Sequence, residues 1–412
     1  MKSLNLTSSS LQKWILYIYF FILSTVFHFF AVDSKNLLLF FYSFFALLLL
    51  VAFNFRSFPR VKNQELILVL VFMTVSTLLN LESSKITSYF YSIYFVLSFV
   101  FFTSVAHKLF TVDDYRNLLK ALFIIYFIGL LLGQLYVQLN LFAPLSGYSS
   151  HLPHGRFGTL IDGGKYRYYS LSSEPSYAAF IVITLYYSLT KTHASNDSLL
   201  KKENLFLFLM LVYMILFFQS AFGIILLGAI VASYFGFTKR AMLMYLLAIF
   251  AFVLISFFKL DVQAIDRVLA IFQKLDIRNL HSLAEVDFTA YFRLAPVLHY
   301  LKTIDLTDFH FYLGSGASAS RNLIIPETYL AYQGEFLGGF LPSFFYDFGI
   351  IGAALVLTFI GKLLPKSKSV PLLIVVLMLF NANFNTQLFW LLLTFLSLNR
   401  FYVNNSGSKI VV

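Results

Sequence analysis

Cysteine is absent from the 412 residues, and charged residues make up only 12% of them. Without cysteine there is no disulfide framework, no thiolate nucleophile and no thiol metal site, and the redox compartment is left unspecified. A soluble globule carries about 25% charged and roughly 45–50% apolar residues. Hydrophobic residues reach 59% here, which excludes one. Metal and nucleophile motifs are missing as well. The 8 histidines show no His-Glu-x-x-His spacing, and no Gly-rich loop precedes a Lys-Ser/Thr pair. His151 and His154 lie three apart in a loop and lack a third ligand, so they read as ordinary loop residues. Neither a metal nor a cofactor is expected.

What the chain does have is hydrocarbon, with 51 Phe and 26 Tyr suited to lipid-facing and interfacial surfaces. Apolar runs able to cross about 30 Å of bilayer core recur near 14–32, 36–53, 65–81, 88–106, 118–140, 176–190, 205–219, 221–238, 241–259, 343–363, 370–382 and 386–400. These predict an all-α, polytopic integral membrane protein of about twelve transmembrane helices forming one domain over 1–412. The first run is too long for the core of a cleaved signal peptide and reads as a retained signal anchor. Asn381-Ala-Asn-Phe-Asn385 is either a tight turn between the last two runs or a break inside one long helix.

The net charge of +11 would suggest nucleic acid in a soluble chain, but topology accounts for most of it. One side of the runs collects Lys2, Lys13, Arg56, Arg60, Lys62, Lys108, Arg116 and Lys120, then Lys191, Lys201, Lys202, Lys239, Arg240, Lys362, Lys366, Lys368, Arg400 and Lys409. Short loops on the other side hold only Lys35 and Lys85. By the positive-inside rule both termini are cytoplasmic, and no nucleic-acid partner is expected.

Two long outward loops carry the rest. The first, about 141–175, holds Arg156, Lys165 and Arg167; the second, about 260–340, holds Arg267, Lys274, Arg278, Arg293, Lys302 and Arg321, with Lys259 beside it. Basic residues on the outer face imply either an anionic partner or headgroup contact. In the second loop Ile265, Val268, Leu269 and Phe272 fall at helical spacing, as do Leu294, Val297, Leu298 and Leu301. Two amphipathic surface helices are expected. Thr289 would cap the second, placing Arg293 near a helix start suited to phosphate.

In the first loop, Leu171-Ser-Ser-Glu-Pro-Ser176 leads into an apolar run. Pro175 fits the first helical position. Glu174 then sits beside a helix N-terminus, whose partial positive charge favours an ionised carboxylate. It is either a catalytic base or a simple helix cap. Asp347 lies near the mouth of a membrane helix and can be an interfacial cap or a functional group. Arginines, lysines, one carboxylate and many tyrosines together fit a phosphate-bearing, sugar-rich substrate at a membrane surface. With a diphosphate as leaving group, such chemistry needs positioning, charge stabilisation and a base. For Arg156, Arg167, Arg267, Arg278 and Arg321 the alternative is snorkelling to headgroups or loop solubility.

Ser172-Ser-Glu-Pro-Ser176 at a helix start resembles the motif of Wzy-type O-antigen and exopolysaccharide polymerases. Arg293, then Gly314-Ser-Gly316 about twenty residues on, then Asp347-Phe-Gly-Ile-Ile-Gly352, is similar to the order shared by those polymerases and O-antigen ligases. The resemblance covers most of the chain. It implies a membrane glycosyltransferase moving a growing glycan from undecaprenyl diphosphate onto a lipid-linked repeat unit. That would occur at the outer face of the bacterial cytoplasmic (inner) membrane, with a chain-length regulator as a further partner. By resemblance Arg293 is the main diphosphate ligand; Arg267, Arg278 and Arg321 are expected beside it as auxiliaries on their charge and place in the same loop. Arg156 and Arg167 correspond only loosely to the family's basic first loop; with Lys165 they are expected to hold carrier or glycan, and Glu174 to act as base or orienter. Ligases place a histidine before the Gly-x-x-Gly motif; Gly338-Gly339 occupies that slot here, which favours a polymerase over a ligase. A flippase would carry charges midway along its helices, and these runs hold almost none.

Overall fold

The computed structural model describes residues 8–25, 31–32, 35–54, 64–139, 158–161, 165–168, 170–172, 175–192, 202–235, 300–322, 339–363 and 386–406, with isolated positions between 269 and 295 and at Phe384. In chain order the described elements are α1 (Ser8–Ser24), β1 (Ala31–Val32), β2 (Lys35–Asn36), α2 (Leu37–Asn54), α3 (Gln64–Leu79), α4 (Ile86–Leu109) and α5 (Val112–Gln138). Then come β3 (Gly158–Ile161), β4 (Lys165–Tyr168), α6 (Pro175–Lys191), α7 (Lys202–Phe218), α8 (Ala221–Phe235) and α9 (Phe309–Leu313). A short 3₁₀ helix (Ala319–Asn322), α10 (Phe340–Leu363) and α11 (Gln387–Ser406) complete the series.

Each expected apolar run that falls on described residues contains a helix; 241–259 and 370–382 lie outside them. Among the described residues, Ile86–Leu109, Val112–Leu135 and Phe340–Leu363 are long and apolar enough to cross a membrane. The chain is therefore a helical, membrane-embedded protein.

The first run needs correcting. Its helix is Ser8–Ser24 rather than 14–32. Thr25 N–H still bonds Phe21 O (3.0 Å) but also reaches Ile22 O (3.3 Å), to which Thr25 Oγ1 donates as well (3.3 Å), so the last turn tightens and Ile22 O is satisfied without a further helical turn. The tail of that run instead forms β1, paired antiparallel with β2, Ala31 opposite Asn36 and Val32 opposite Lys35. A second antiparallel pair, β3–β4, lies in the first expected outer loop. Among the described residues, two small hairpins thus accompany an otherwise helical architecture.

The chain divides into two compact units. The first comprises Met1–Pro59, Phe101–Ala264 and Thr394–Val412. Its centre is α6, in which almost every residue from Ser176 to Thr190 is buried, with α5, α7 and α8 packed around it. Hydrocarbon offers no solvophobic drive between helices, so small residues and buried hydrogen bonds hold them together. A Cβ on Gly223 of α8 would come within 2.8 Å of Ala179 Cβ, so the two helices touch nearly backbone to backbone. Tyr115 Oη donates to Asn399 Oδ1 (3.1 Å), and Asn399 Nδ2 donates to Ser188 Oγ (3.0 Å). At one end of this unit Lys13 pairs with Asp114 (2.7 Å), and Arg116 donates to Thr192 O (2.8 Å). The start of α1, the start of α5 and the end of α6 therefore share that end. Asp114 and Thr111 also form a reciprocal cap: Thr111 N–H donates to Asp114 Oδ2 (2.9 Å) and Asp114 N–H to Thr111 Oγ1 (3.1 Å).

The second unit comprises Arg60–Val100 and Ile265–Leu393. Here α10 packs against α3, α9 and the 3₁₀ helix. Lys362, at the end of α10, pairs with Glu65 at the start of α3, so the two helices run antiparallel. Phe340, Phe384, Phe389 and Trp390 interlock, and Trp390 Nε1 donates to Phe384 O (2.6 Å). That bond fixes a turn just ahead of α11, which begins at Gln387, so the Asn-rich stretch is followed by a new helix start. In the stretch expected to hold surface helices, the described residues 269–271 and 273–274 are helical, half-buried in the first group and exposed in the second. Leu283, Tyr291 and Ala295 form a small buried cluster with Ile271 against it.

Candidate functional site

The first unit carries the loop that leads into α6. Lys165 and Arg167 lie two apart on β4, in register opposite Ile161 and Thr159. The β4 strand rests against α5 and α7, with the Tyr168 ring edge-on to Phe217 (6.4 Å). Beyond it the chain turns down onto α5. Ser170, at φ 51°, donates through Oγ to Tyr126 O (2.6 Å). A Cβ on Gly129 would meet that Oγ at 2.6 Å. Gly129 lies about two and a half turns before α5 ends, so the loop dips well inside the helix end. Irregular backbone is tolerated there because protein surrounds it; Ser170 and Ser172 are buried. Helix α6 begins at Pro175, as the proline geometry predicts. Glu174 and Arg156 lie outside the described residues.

The second unit brings together two motifs that the sequence keeps more than thirty residues apart. Although α10 is helical from Phe340 to Leu363, it breaks at Gly349 (φ 65°, ψ −175°). The Gly314-Ser-Gly316 turn fits into that break. Ser315 N–H donates to Tyr346 O (3.1 Å) and Gly316 N–H to Asp347 O (2.8 Å), both carbonyls freed by the break. A Cβ on Gly314 would come within 2.3 Å of Asp347 O, and one on Gly349 within 2.3 Å of Tyr312 O. Only glycine allows this approach, and both positions have positive φ.

From the other side α3 and the loop after it close on the turn. Ser76 Oγ donates to Leu313 O (2.7 Å), Asn80 Nδ2 to Gly314 O (3.2 Å) and Ser83 Oγ to Ser315 O. Lys85 N–H donates to Ala317 O (2.8 Å). Carbonyls along a non-helical segment are thus satisfied one after another, which is what irregular backbone within a membrane bundle requires.

Asp347 is buried at 8% exposure. Its carboxylate accepts from Ser318 N–H (3.0 Å) and Ser320 N–H (2.8 Å), holding the start of the 3₁₀ helix that contains Arg321. The sequence left Asp347 as cap or functional group; its geometry is that of a cap, joined across the fold to a different element. Arg321 therefore has its backbone on a fixed platform. Arg267, Arg278 and Arg293 lie outside the described residues. Beside Asp347 is a cavity of about 20 Å³ lined by Ser88, Ser92, Ser318, Ser320 and Ser343 and by the rings of Phe344, Phe348 and Phe384. These serines escaped the sequence reading. For all but Ser343 the signal is the density of hydroxyls in Ser83–Ser92 and Ser315–Ser320.

Next to the turn, α9 presents an acidic rim. Asp308 caps it, accepting from His310 N–H (3.0 Å) with His310 Nδ1 at 2.9 Å. The backbone N–H and then the side chain of His310 hold the Asp308 carboxyl below its ordinary value. Asp305 is lowered too, first by the Thr307 hydroxyl and then by its N–H. Burial pushes the Tyr300 phenol up to about 12. Among the described residues no group of three or more His, Cys, Asp or Glu is placed to hold a metal ion.

Compared with protein-family models, curated proteins and solved structures, the chain matches none.

Proposed function

We propose that the protein is a polysaccharide polymerase of the inner membrane with about twelve spans and both termini cytoplasmic. It transfers a growing glycan from undecaprenyl diphosphate onto the non-reducing end of a lipid-linked repeat unit at the outer face. In that reaction an acceptor hydroxyl attacks the anomeric carbon of the donor. The bond to the diphosphate oxygen breaks, the diphosphate leaves with its electron pair, and the hydroxyl proton passes to a base. Arg293 binds the diphosphate, with Arg267, Arg278 and Arg321 assisting. Arg156, Lys165 and Arg167 engage carrier or glycan, and Glu174 takes the proton or orients the acceptor.

The observation that carries this reading is the junction at Gly349. Gly314-Ser-Gly316 and Asp347-Phe-Gly-Ile-Ile-Gly352, whose order underlies the resemblance, are one structural unit joined by backbone hydrogen bonds. That unit lies towards the end of the α3–α10 pair opposite the Lys362–Glu65 pair. The positive-inside pattern puts Lys362 in the cytoplasm and the junction on the outer side. The shared ends in the first unit, with Lys13, Asp114, Arg116 and Thr192 together, agree with the same alternation.

The test is reconstitution of the purified chain in lipid with undecaprenyl-diphosphate-linked repeat units. The reading predicts a ladder of multimers, lost in Arg293→Ala. Repeat units that cross the bilayer without being joined would establish a flippase instead. Transfer only to a non-repeat acceptor would establish a ligase.

A further inference from the structure

We propose that the serine-lined cavity beside Asp347 binds a neutral hydroxyl or hydroxymethyl arm of the glycan, and not the diphosphate. The assignment rests on the polymerase reading for the identity of the glycan. The choice of chemistry rests on the cavity itself.

The first ground is charge. Among the residues lining the cavity, the ionisable side chain is Asp347. A diphosphate placed there would meet a carboxylate at short range, an unfavourable like-charge contact. The carboxylate is itself engaged: Ser318 N–H and Ser320 N–H each donate to one of its oxygens, which offsets its charge from the protein side. A neutral O–H donor suits oxygens in that state better than a metal cation does.

The second ground is the wall. Ser88 lines the cavity at 2% exposure, and its Oγ has no hydrogen-bond partner among the described residues. A buried hydroxyl without a partner is destabilising, so a ligand hydroxyl that the Ser88 side chain turns to meet gains that interaction. Phe344, Phe348 and Phe384 complete the lining with aromatic carbon. Hydroxyls and aromatic carbon in one lining match a sugar, whose ring carries equatorial O–H groups around apolar C–H faces. The third ground is size. About 20 Å³ gives room for about one water-sized group, which fits one arm of a pyranose and excludes the whole ring.

Because the chain lacks cysteine, one engineered thiol reports on the cavity alone. Ser92→Cys suits this, since the Ser92 hydroxyl donates only to Ser88 O of its own helix (3.0 Å). Ser343→Cys provides a second position should the first fail to fold. Purified protein in lipid is treated with methyl methanethiosulfonate alone, with lipid-linked repeat units extracted from cells lacking the gene, and with sugar-free undecaprenyl diphosphate. With the repeat unit at ten times its dissociation constant, the rate of thiol modification should fall about tenfold, and the sugar-free carrier should leave it unchanged. Equal slowing by both lipids, or by neither, overturns the assignment. A thiol that stays unreactive at both positions overturns it too, because a cavity closed to so small a reagent is closed to a sugar. Product ladders from the same samples report separately on the polymerase reading. Ladders without protection would leave that reading standing and remove this one.

Discussion

Gly349→Ala is the substitution on which the described geometry acts most sharply. At φ 65°, ψ −175° the backbone is in a region that only glycine occupies readily, and holding alanine there costs about 1–3 kcal/mol. The new methyl would also lie 2.3 Å from Tyr312 O and 2.7 Å from Gly314 N, where ordinary contact begins at 3.4 Å. One of these backbones must retreat by about 1 Å, which strains the Ser315 N–H···Tyr346 O and Gly316 N–H···Asp347 O bonds. Each such bond contributes about 0.5–1.5 kcal/mol net, so the total loss is on the order of 3 kcal/mol. Gly361 supplies the control, because it lies in the same helix and an added Cβ there meets nothing within 4 Å. Gly361→Ala should stabilise by up to about 1 kcal/mol through helix propensity alone. Thermal unfolding of the detergent-solubilised proteins, followed by the loss of monodisperse material, separates the two. If Gly349→Ala melts at or above the temperature of Gly361→Ala, the junction is not held by backbone contact and the reasoning fails.

Asp347→Asn leaves one of the Ser318 and Ser320 N–H groups facing an amide N–H. It should cost about 1–3 kcal/mol, with faster hydrogen exchange confined to peptides covering 315–322; unchanged exchange there would count against the cap. Thr111→Ala removes half of the reciprocal cap on α5 and should lower stability by about 1 kcal/mol, while Thr111→Ser restores it. The Asp308 cap should depend on pH with a definite sign. Its carboxyl is held below the ordinary value in the folded chain. The contribution is therefore complete above about pH 5 and is lost as pH falls through the depressed folded value. The melting-temperature gap between the protein and Asp308→Ala should close on acidification; a gap that widens would reverse the assignment.

Helices were legible where hydropathy alone decides them. The run 36–53 is Leu37–Asn54 and the run 65–81 is Gln64–Leu79, because an uninterrupted apolar stretch of that length leaves helix as the way to satisfy its backbone in lipid. The first helix differs because hydropathy does not register a last turn that tightens onto Ile22 O through the N–H and hydroxyl of Thr25. Helix α1 ends at Ser24 while the apolar composition continues to Val32. Asp162-Gly-Gly164 between Ile161 and Lys165 is a hairpin signal in plain view. Taking 141–175 as one outward loop conceals it. The junction at Gly349 was visible only as two glycine motifs in order, since composition does not record which turn fits which helix break. Asp347 stood out as a charge in an apolar helix, but its partners at Ser318 and Ser320 are backbone N–H groups, which every residue but proline carries and which leave no mark in a sequence.

The polymerase claim is met most directly by measuring glycan length in cells lacking the gene and complemented with wild type, Arg293→Ala or Glu174→Ala at matched protein levels. The account predicts that loss of the gene leaves single repeat units on the final acceptor. Wild type should restore long chains, and Arg293→Ala should not. Bare acceptor with repeat units accumulating on the lipid carrier would contradict it. Accumulation at the outer face would identify a ligase, and accumulation at the cytoplasmic face a flippase.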